Sequence, residues 1–286
     1  MFSALEVKSH HFDNFQMEAL MKMENLRKYG KAPFRVAVIH GGPGAGGEMI
    51  PVASELVPLW GVLEPIQTAK SVDGQIEELK TVVETNGDLP TTLIGFSWGA
   101  WLSYLFAANH PTLIKKLILV GSGPFEEKYA AKIQETRLNR LNDEERLEYG
   151  TLIRSLSNPK TEDKNAALTR LGTLTSKTDG YDPVVDETGE FEVTEFRGDI
   201  FQSVWKEAAE LRRSGKLLEY GKQVKCPVVA IHGDYDPHPS EGVQKSLSSV
   251  LEDFRFVLLA NCGHKPWIER QAREKFFNIL KLELDS

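Results

Sequence analysis

The sequence predicts an α/β protein built on a mostly parallel sheet of about six to eight strands, and three observations carry that reading. Short runs rich in Val, Ile and Leu alternate with amphipathic helical stretches along most of the 286 residues. Runs of that near-continuous apolar character belong to parallel strands covered by helices on both faces. The alternation breaks once, from about Pro124 to Gln223, where the chain reads as helical and charged. Finally, the glycine-, serine-, aspartate- and histidine-bearing motifs fall where strands end, and a parallel sheet gathers those ends on one edge.

Taken in order, residues 1–33 are the least strand-like, and NFQMEALMKMENLRKYG (14–30) has helical rather than strand spacing,. FRVAVIHG (34–41) is the first buried strand and leads to a helix near 47–57. WGVLEPI (60–66) is a weaker strand before a helix near 74–86. TTLIGFS (91–97) enters from a turn at Pro90 and runs into the apolar helical spacing of 98–109,. KKLILVGS (115–122) precedes the helical insertion, after which CPVVAIHG (226–233) and FRFVLLA (254–260) resume the strands. Helices near 240–251 and 269–283 follow them. The expected division is a core of residues 1–123 and 224–286 with a helical cap, 124–223, inserted between two core strands. There is no internal repeat and no low-complexity tract.

Hydrophobic residues make up 41% and charged residues 26%, ordinary for a globular protein,. The 34 Lys+Arg against 41 Asp+Glu give −7, which disfavours nucleic acid or an anionic membrane as partner. No apolar run approaches the ~20 residues that span a bilayer, and the N-terminus lacks the apolar centre of a signal peptide. Cys226 and Cys262 are too few for a disulfide framework. A cytoplasmic setting is the expectation. Nothing in the sequence sets the oligomeric state.

Four motifs carry chemistry. Gly95-Phe96-Ser97-Trp98-Gly99 fits G-x-S-x-G on a strand-to-helix turn, where a strained serine presents its hydroxyl and glycines let neighbouring chain pass closely,. Such a hydroxyl needs a base, and the base an orienting acid. Of seven histidines, His264 in NCGHKPW follows the last strand on the edge that holds Ser97, which makes it the base. His10 and His11 lie in the unread N-terminus. His110 closes the helix away from the turn. His40 and His232 end strands where packing is the plainer role, and His238 sits in a loop between prolines. The acid comes from HGDYDPHP (232–239). Asp234 and Asp236 both qualify, with Asp236 farther into the loop and better able to reach His264. HGGPGAGGE (40–48) is the fourth motif. Its glycines let backbone N–H groups approach a developing oxyanion, with Gly42 and Trp98 as the donors.

The same glycine loop supports a rival reading. Gly42, Gly44 and Gly47 satisfy G-x-G-x-x-G between a strand and a helix, and Glu64 follows as an acid for a ribose,. Against it, Pro43 removes an N–H from a turn whose purpose would be to offer amides to a pyrophosphate. Glu48 stands where a P-loop needs lysine, and no H-E-x-x-H or C-x-x-C calls for zinc,.

Elbow, H-G-G-P-G loop, acid loop and G-H loop, in that order, resemble the α/β-hydrolase-fold proteins from Pro33 onward. HGGPG together with GFSWG is most similar to their prolyl-iminopeptidase-like branch. The resemblance implies Ser97 as nucleophile, Asp236 as acid, His264 as base, Trp98 and Gly42 as oxyanion donors, and a helical cap after the sixth strand. It implies no metal and no organic cofactor. The substrate would be a small molecule or short peptide, cleaved at an ester or amide bond, with a carbon–carbon bond hydrolase or a non-catalytic ligand receptor as the other readings. The family's usual N-terminal strand pair is not visible, which predicts a sheet shortened to about six strands. Substrate contacts are assigned to His40, Gly41, Pro43, Tyr181, Trp205 and Trp267. Eight acidic residues lie between Asp179 and Asp199. They read first as a solvated lid and second as partners for a substrate amine.

Overall fold

Alternate residues of the central strands point to opposite faces, and here both faces are apolar. Val36 and Val38 join one buried cluster while Ala37 and Ile39 join another, and Ile94 and Leu93 divide in the same way. That two-sided burial is what forces helices onto both faces of the sheet. A computed structural model describes residues 25–158, 164–184 and 195–286. Its strands in chain order are β1 (Leu26–Tyr29), β2 (Phe34–Ile39), β3 (Ala45–Gly46), β4 (Gly61–Pro65), β5 (Thr91–Phe96), β6 (Ile114–Val120), β7 (Glu195–Phe196), β8 (Val228–Gly233) and β9 (Phe254–Leu259). Seven form one sheet in the order β1-β4-β2-β5-β6-β8-β9, parallel except for β1.

Helices α1 (Ile50–Leu56), α2 (Val72–Asn86), α3 (Trp98–Asn109), α9 (Glu241–Ser248) and α10 (Arg273–Asp285) flank the sheet. Residues of α2, α3 and α9 enter one cluster, and those of α1 and α10 the other. Helix α3 is buried along its length from Trp98 to Ala108, which suits a helix with the sheet on one side and further helices on the other,. On that outer side the Tyr104 hydroxyl donates to the Leu218 carbonyl at 2.9 Å, and Trp101 stacks on Trp205 with ring centres 5.9 Å apart.

Between β6 and its neighbour β8 the chain leaves the sheet for helices α4 (Ala130–Arg140), α5 (Asp143–Ser157), α6 (Lys164–Asp179), α7 (Gly198–Arg213) and α8 (Lys216–Glu219). A capping box of Asn142 and Glu145 starts α5,. Helix α7 buries Ile200, Val204 and Ala208 in the same cluster as α3, whereas Leu141, Tyr149 and Leu174 form a small cluster of their own among α4–α6. Strand β7 pairs with β3, which fastens this segment to the glycine loop. No helix among the described residues is long and apolar enough to cross a membrane.

The N-terminus corrects the sequence reading. Residues 14–30 have helical spacing, yet Leu26–Tyr29 is a strand antiparallel to β4, and with it the sheet has seven strands, within the expected six to eight. Arg27 and Tyr29, two residues apart, reach the same Glu64 carboxylate at 3.4 and 2.6 Å, as strand periodicity requires,. A four-residue edge strand is too short to show alternation in sequence. The remainder of that stretch, with His10 and His11, lies outside the described residues.

Candidate active site

The elbow is built by exclusion. Strand β5 turns into α3 over one residue, Ser97, whose φ of 52° and ψ of −113° put a non-glycine side chain where L residues rarely go,. Such a conformation costs on the order of 1–3 kcal/mol and persists only when its surroundings impose it. A Cβ at Gly95 would collide with the Gly99 carbonyl, and one at Gly99 with the Ile39 carbonyl, so both flanks must be glycine. The Ser97 N–H donates to Val120 O at 2.9 Å, which locks the turn to β6. Trp98 is the first residue of α3, so its N–H has no carbonyl partner within the helix,.

Asp236 and His264 leave the ends of adjacent strands β8 and β9. The Asp236 side chain is fully buried, and its Oδ2 accepts from His264 Nδ1 at 2.7 Å. A carboxylate only accepts, so Nδ1 carries the proton and Nε2 is left as the basic nitrogen. Burial pushes Asp236 upward, but the nearby imidazoles, His264 first, hold its carboxyl well below the usual carboxylate range. Asp234 serves the turn instead, and its Oδ1 accepts the Cys262 N–H at 3.2 Å. Asp236 Oδ1 is occupied as well, accepting the backbone N–H of His238 at 2.9 Å and its ring Nδ1 at 2.7 Å. Burial pushes the His238 ring down to about 4, so it is neutral at neutral pH. Asp236, His238 and His264 are also the cluster whose donor atoms lie within 4.8 Å of one another, as a metal would need, and the hydrogen bonds between them account for that closeness.

Ser97, His264 and Gly42 stand where two arms of one cleft meet. One arm, about 540 Å³, is lined by Trp98, Trp101, Phe201, Trp205 and aliphatic residues of α4–α6, with His238 and Arg212 also on its wall. The other, about 710 Å³, is the more polar of the two, with Glu48, Asp179, Lys265 and Glu269 on its walls and Arg137 between the two arms. The charges there are already matched. Arg137 makes a bidentate pair with Asp179 at 2.8 and 2.5 Å, and Lys265 meets Glu48 at 2.8 Å. The buried Glu269 accepts the N–H groups of Gly263, Tyr181 and Asp182, and the His264 N–H donates to the Asp179 carbonyl. The end of α6 is thereby pinned to the histidine loop.

The structure divides the sequence-assigned site residues. Ser97, His264, Gly42, Trp98, Pro43 and Trp205 line the cleft, and Asp236 stands behind His264. Four assigned substrate contacts do not line it. His40 is buried, donates from Nδ1 to Gly41 O at 2.8 Å and accepts the Gln67 N–H at Nε2. Gly41 is a packing position, where a Cβ would press on Phe96 and Glu48. Trp267 is a core residue edge-on to Phe96, and Tyr181 rests on Tyr235. Among the described acids of the 179–199 stretch, Asp179 pairs with Arg137, Asp182 with Arg270 and Asp199 with Lys70. Asp186, Glu187, Glu190, Phe191 and Glu192 lie outside the described residues.

Sequence reasoning missed two participants. His238 was legible only as a loop histidine, although its place two residues after Asp236 is where an aspartate side chain returns to its own backbone. Arg137 lies in a charged helix and gave no signal. The rival nucleotide reading loses its site: Glu64 is wholly buried under Tyr29 and Arg27, and Gly44 is packed against Arg197 and Ile200.

The sequence matches the model of a family described as alpha/beta hydrolase fold over residues 64–271. No curated relative matches it. Among solved structures, VinJ superposes with a TM-score of 0.68 at 18% identity, over 91% of this chain and 94% of that one. A putative lipase from Acinetobacter baumannii gives 0.64 at 18%, over 91% and 88%. A meta-cleavage product hydrolase from Pseudomonas fluorescens gives 0.58 at 16%, over 91% and 93%. At these identities the likeness is one of fold.

Proposed function

The chain belongs to the alpha/beta hydrolase fold family, and from that premise we propose that it is a serine hydrolase acting on an ester or amide through an acyl-enzyme. The observation that carries the reading is the forced backbone of Ser97 at the lip of a cleft shared with a buried Asp236–His264 pair. In this mechanism Ser97 Oγ attacks the carbonyl and His264 Nε2 takes its proton. Asp236 holds Nδ1–H and stabilises the imidazolium. The N–H groups of Trp98 and Gly42 receive the oxyanion, each such donor being worth about 2.7–4 kcal/mol of barrier. His264 then returns the proton to the leaving group, and water resolves the acyl-enzyme by the same base.

The aromatic arm suits an apolar part of the substrate and the charge-matched arm a polar one, so the substrate class is a small acyl compound or short peptide bearing both. The helices α4–α8 act in this reading as the cap over the cleft, and the setting is cytoplasmic. A carbon–carbon bond hydrolase on the same triad is the second reading, favoured by the flat aromatic wall of Trp101 and Trp205. The test is labelling by a serine-directed fluorophosphonate with the adduct mapped to Ser97. A panel of acyl esters, aminoacyl arylamides and vinylogous diketones then separates the substrate classes. Labelling at another serine, or none, would sink the assignment.

A further inference from the structure

Asp236 carries two imidazoles where the mechanism needs one. Its Oδ2 serves His264 and its Oδ1 serves His238, each ring nitrogen 2.7 Å away, and the two rings stack with centres 4.5 Å apart. His238 is held by more than this: its backbone N–H donates to the same Oδ1, and its carbonyl accepts His232 Nε2 at 2.8 Å. A neutral His238 donating from Nδ1 leaves its Nε2 without a proton, so it presents the same tautomer as the base beside it. We propose that His238 is a positioning residue which divides the charge of Asp236 between two rings and thereby sets the pH range in which His264 works as a base. The inference rests on the reading of Ser97 and His264 given above.

The direction follows from charge. A carboxylate that already accepts two donors at Oδ1 stabilises an imidazolium at Oδ2 less than one that accepts none there. His238 therefore keeps His264 less basic, and the active neutral form persists to lower pH. The other charged groups around the pair are matched elsewhere: Arg137 with Asp179, Lys265 with Glu48, and Arg212 with Glu127. Glu269 is tied to backbone N–H groups, Asp234 to the Cys262 N–H, and His232, 3.6 Å from Asp236 Oδ2, donates to the His238 carbonyl.

The experiment follows the rate of fluorophosphonate labelling against pH, together with an NMR titration of the His264 ring, in wild type, His238→Phe and His238→Asn. Phenylalanine keeps the stacked ring and loses the donor, whereas the asparagine amide retains a donor for Oδ1. The expected result is an acid limb, and a His264 titration, moved upward by about one pH unit in His238→Phe and hardly at all in His238→Asn. Should the phenylalanine variant not fold, His238→Leu removes the same donor from a smaller volume. An unmoved or lowered His264 titration in the donor-less variant overturns the proposal, as does an equal shift in both variants. Because that titration needs no reactivity, wild type that fails to label at Ser97 overturns the mechanism separately.

Discussion

The two walls of the cleft are made by different means. On the sheet side, Ser97, Asp236 and His264 stand at the ends of β5, β8 and β9. Their places are fixed by steric exclusion at Gly95 and Gly99 and by hydrogen bonds of 2.7–2.9 Å. On the opposite side, the apolar cluster described among α4–α6 is small, built on Leu141, Tyr149 and Leu174. Their other ties include Arg170–Glu148 and Lys177–Glu145, pairs that water and salt screen,. The sheet side has the rigidity that chemistry needs. The helical side meets it where the Arg137–Asp179 pair and Glu269 pin the end of α6 to the histidine loop. Substitutions on the first wall should therefore abolish reaction, while those on the second retune it.

The largest effect belongs to Ser97→Ala. It should remove covalent labelling and lower turnover on the order of a millionfold, with the fold intact by circular dichroism. Next comes Asp236→Asn, which leaves one amide oxygen to accept from two imidazoles and sets an NH2 donor against the other ring, and should cost roughly ten-thousandfold in kcat/KM,. Asp234→Asn only weakens a turn and should cost less than about tenfold. If Asp234→Asn were the more damaging, the rigid wall would be misassigned at its centre.

On the helical wall the decisive group is the Arg137–Asp179 pair, since the Asp179 carbonyl also holds the His264 N–H. Arg137→Leu leaves a nearly buried carboxylate unpaired, a change that costs up to about 3–5 kcal/mol when the group is fully dry. Some solvent reaches this pair, so a smaller loss is expected, read as a lowered Tm and a kcat/KM reduced about ten- to a hundredfold. Adding Asp179→Asn should restore much of the Tm. The carboxylate keeps one neutral donor, Thr178 Oγ1 at 3.0 Å, so a double variant less stable than Arg137→Leu would show that this hydrogen bond outweighs the unpaired charge.

The walls also differ in how pH acts on them. His238 is pushed down to about 4 from an ordinary value near 6.5 by burial, so the folded state disfavours its protonation,. Its contribution to stability is complete above pH 6.5 and is lost as pH falls toward 4, on the order of 3 kcal/mol across that window. Urea unfolding of wild type against His238→Phe checks this: the variant should lose less stability over the same interval. Buried His40 is shifted in the same direction and remains in both proteins, so it cancels in the difference, which reports His238 together with whatever His238 does to its neighbours on Asp236.

How far these features could be read in sequence follows the same division. The sheet announced itself because each buried strand is a run of branched apolar residues, and the elbow because only glycine fits at 95 and 99. Asp236 and His264 were legible from topology, which brings strand ends to one edge. Contacts between distant segments were not. Trp267 in a loop after His264 resembles a substrate contact in sequence, but packing on Phe96 makes it core. Nothing local marks Arg137 as the partner of Asp179, 42 residues on. The edge strand β1 was hidden by its length, since two alternating pairs are too few to set a period.

The smallest effect expected is also the one that most sharpens the view of the helical wall. An aminopeptidase-type enzyme holds the substrate's free amine with a carboxylate at a fixed distance from the scissile carbonyl. The described acids near the cleft are engaged already: Asp179 with Arg137, Glu48 with Lys265, Glu269 with three backbone N–H groups, and Asp182 and Asp199 with Arg270 and Lys70. Taking one of them for an amine would strand its present partner, so an amine gains little by entering. The expected outcome is that an aminoacyl arylamide and its N-acetylated form are cleaved with kcat/KM values within about threefold, a difference below 1 kcal/mol. A desolvated amine–carboxylate pair would instead favour the free amine by some thirtyfold or more, about 2 kcal/mol. That result would make the helical wall a dedicated amine site and move the protein toward the aminopeptidase reading.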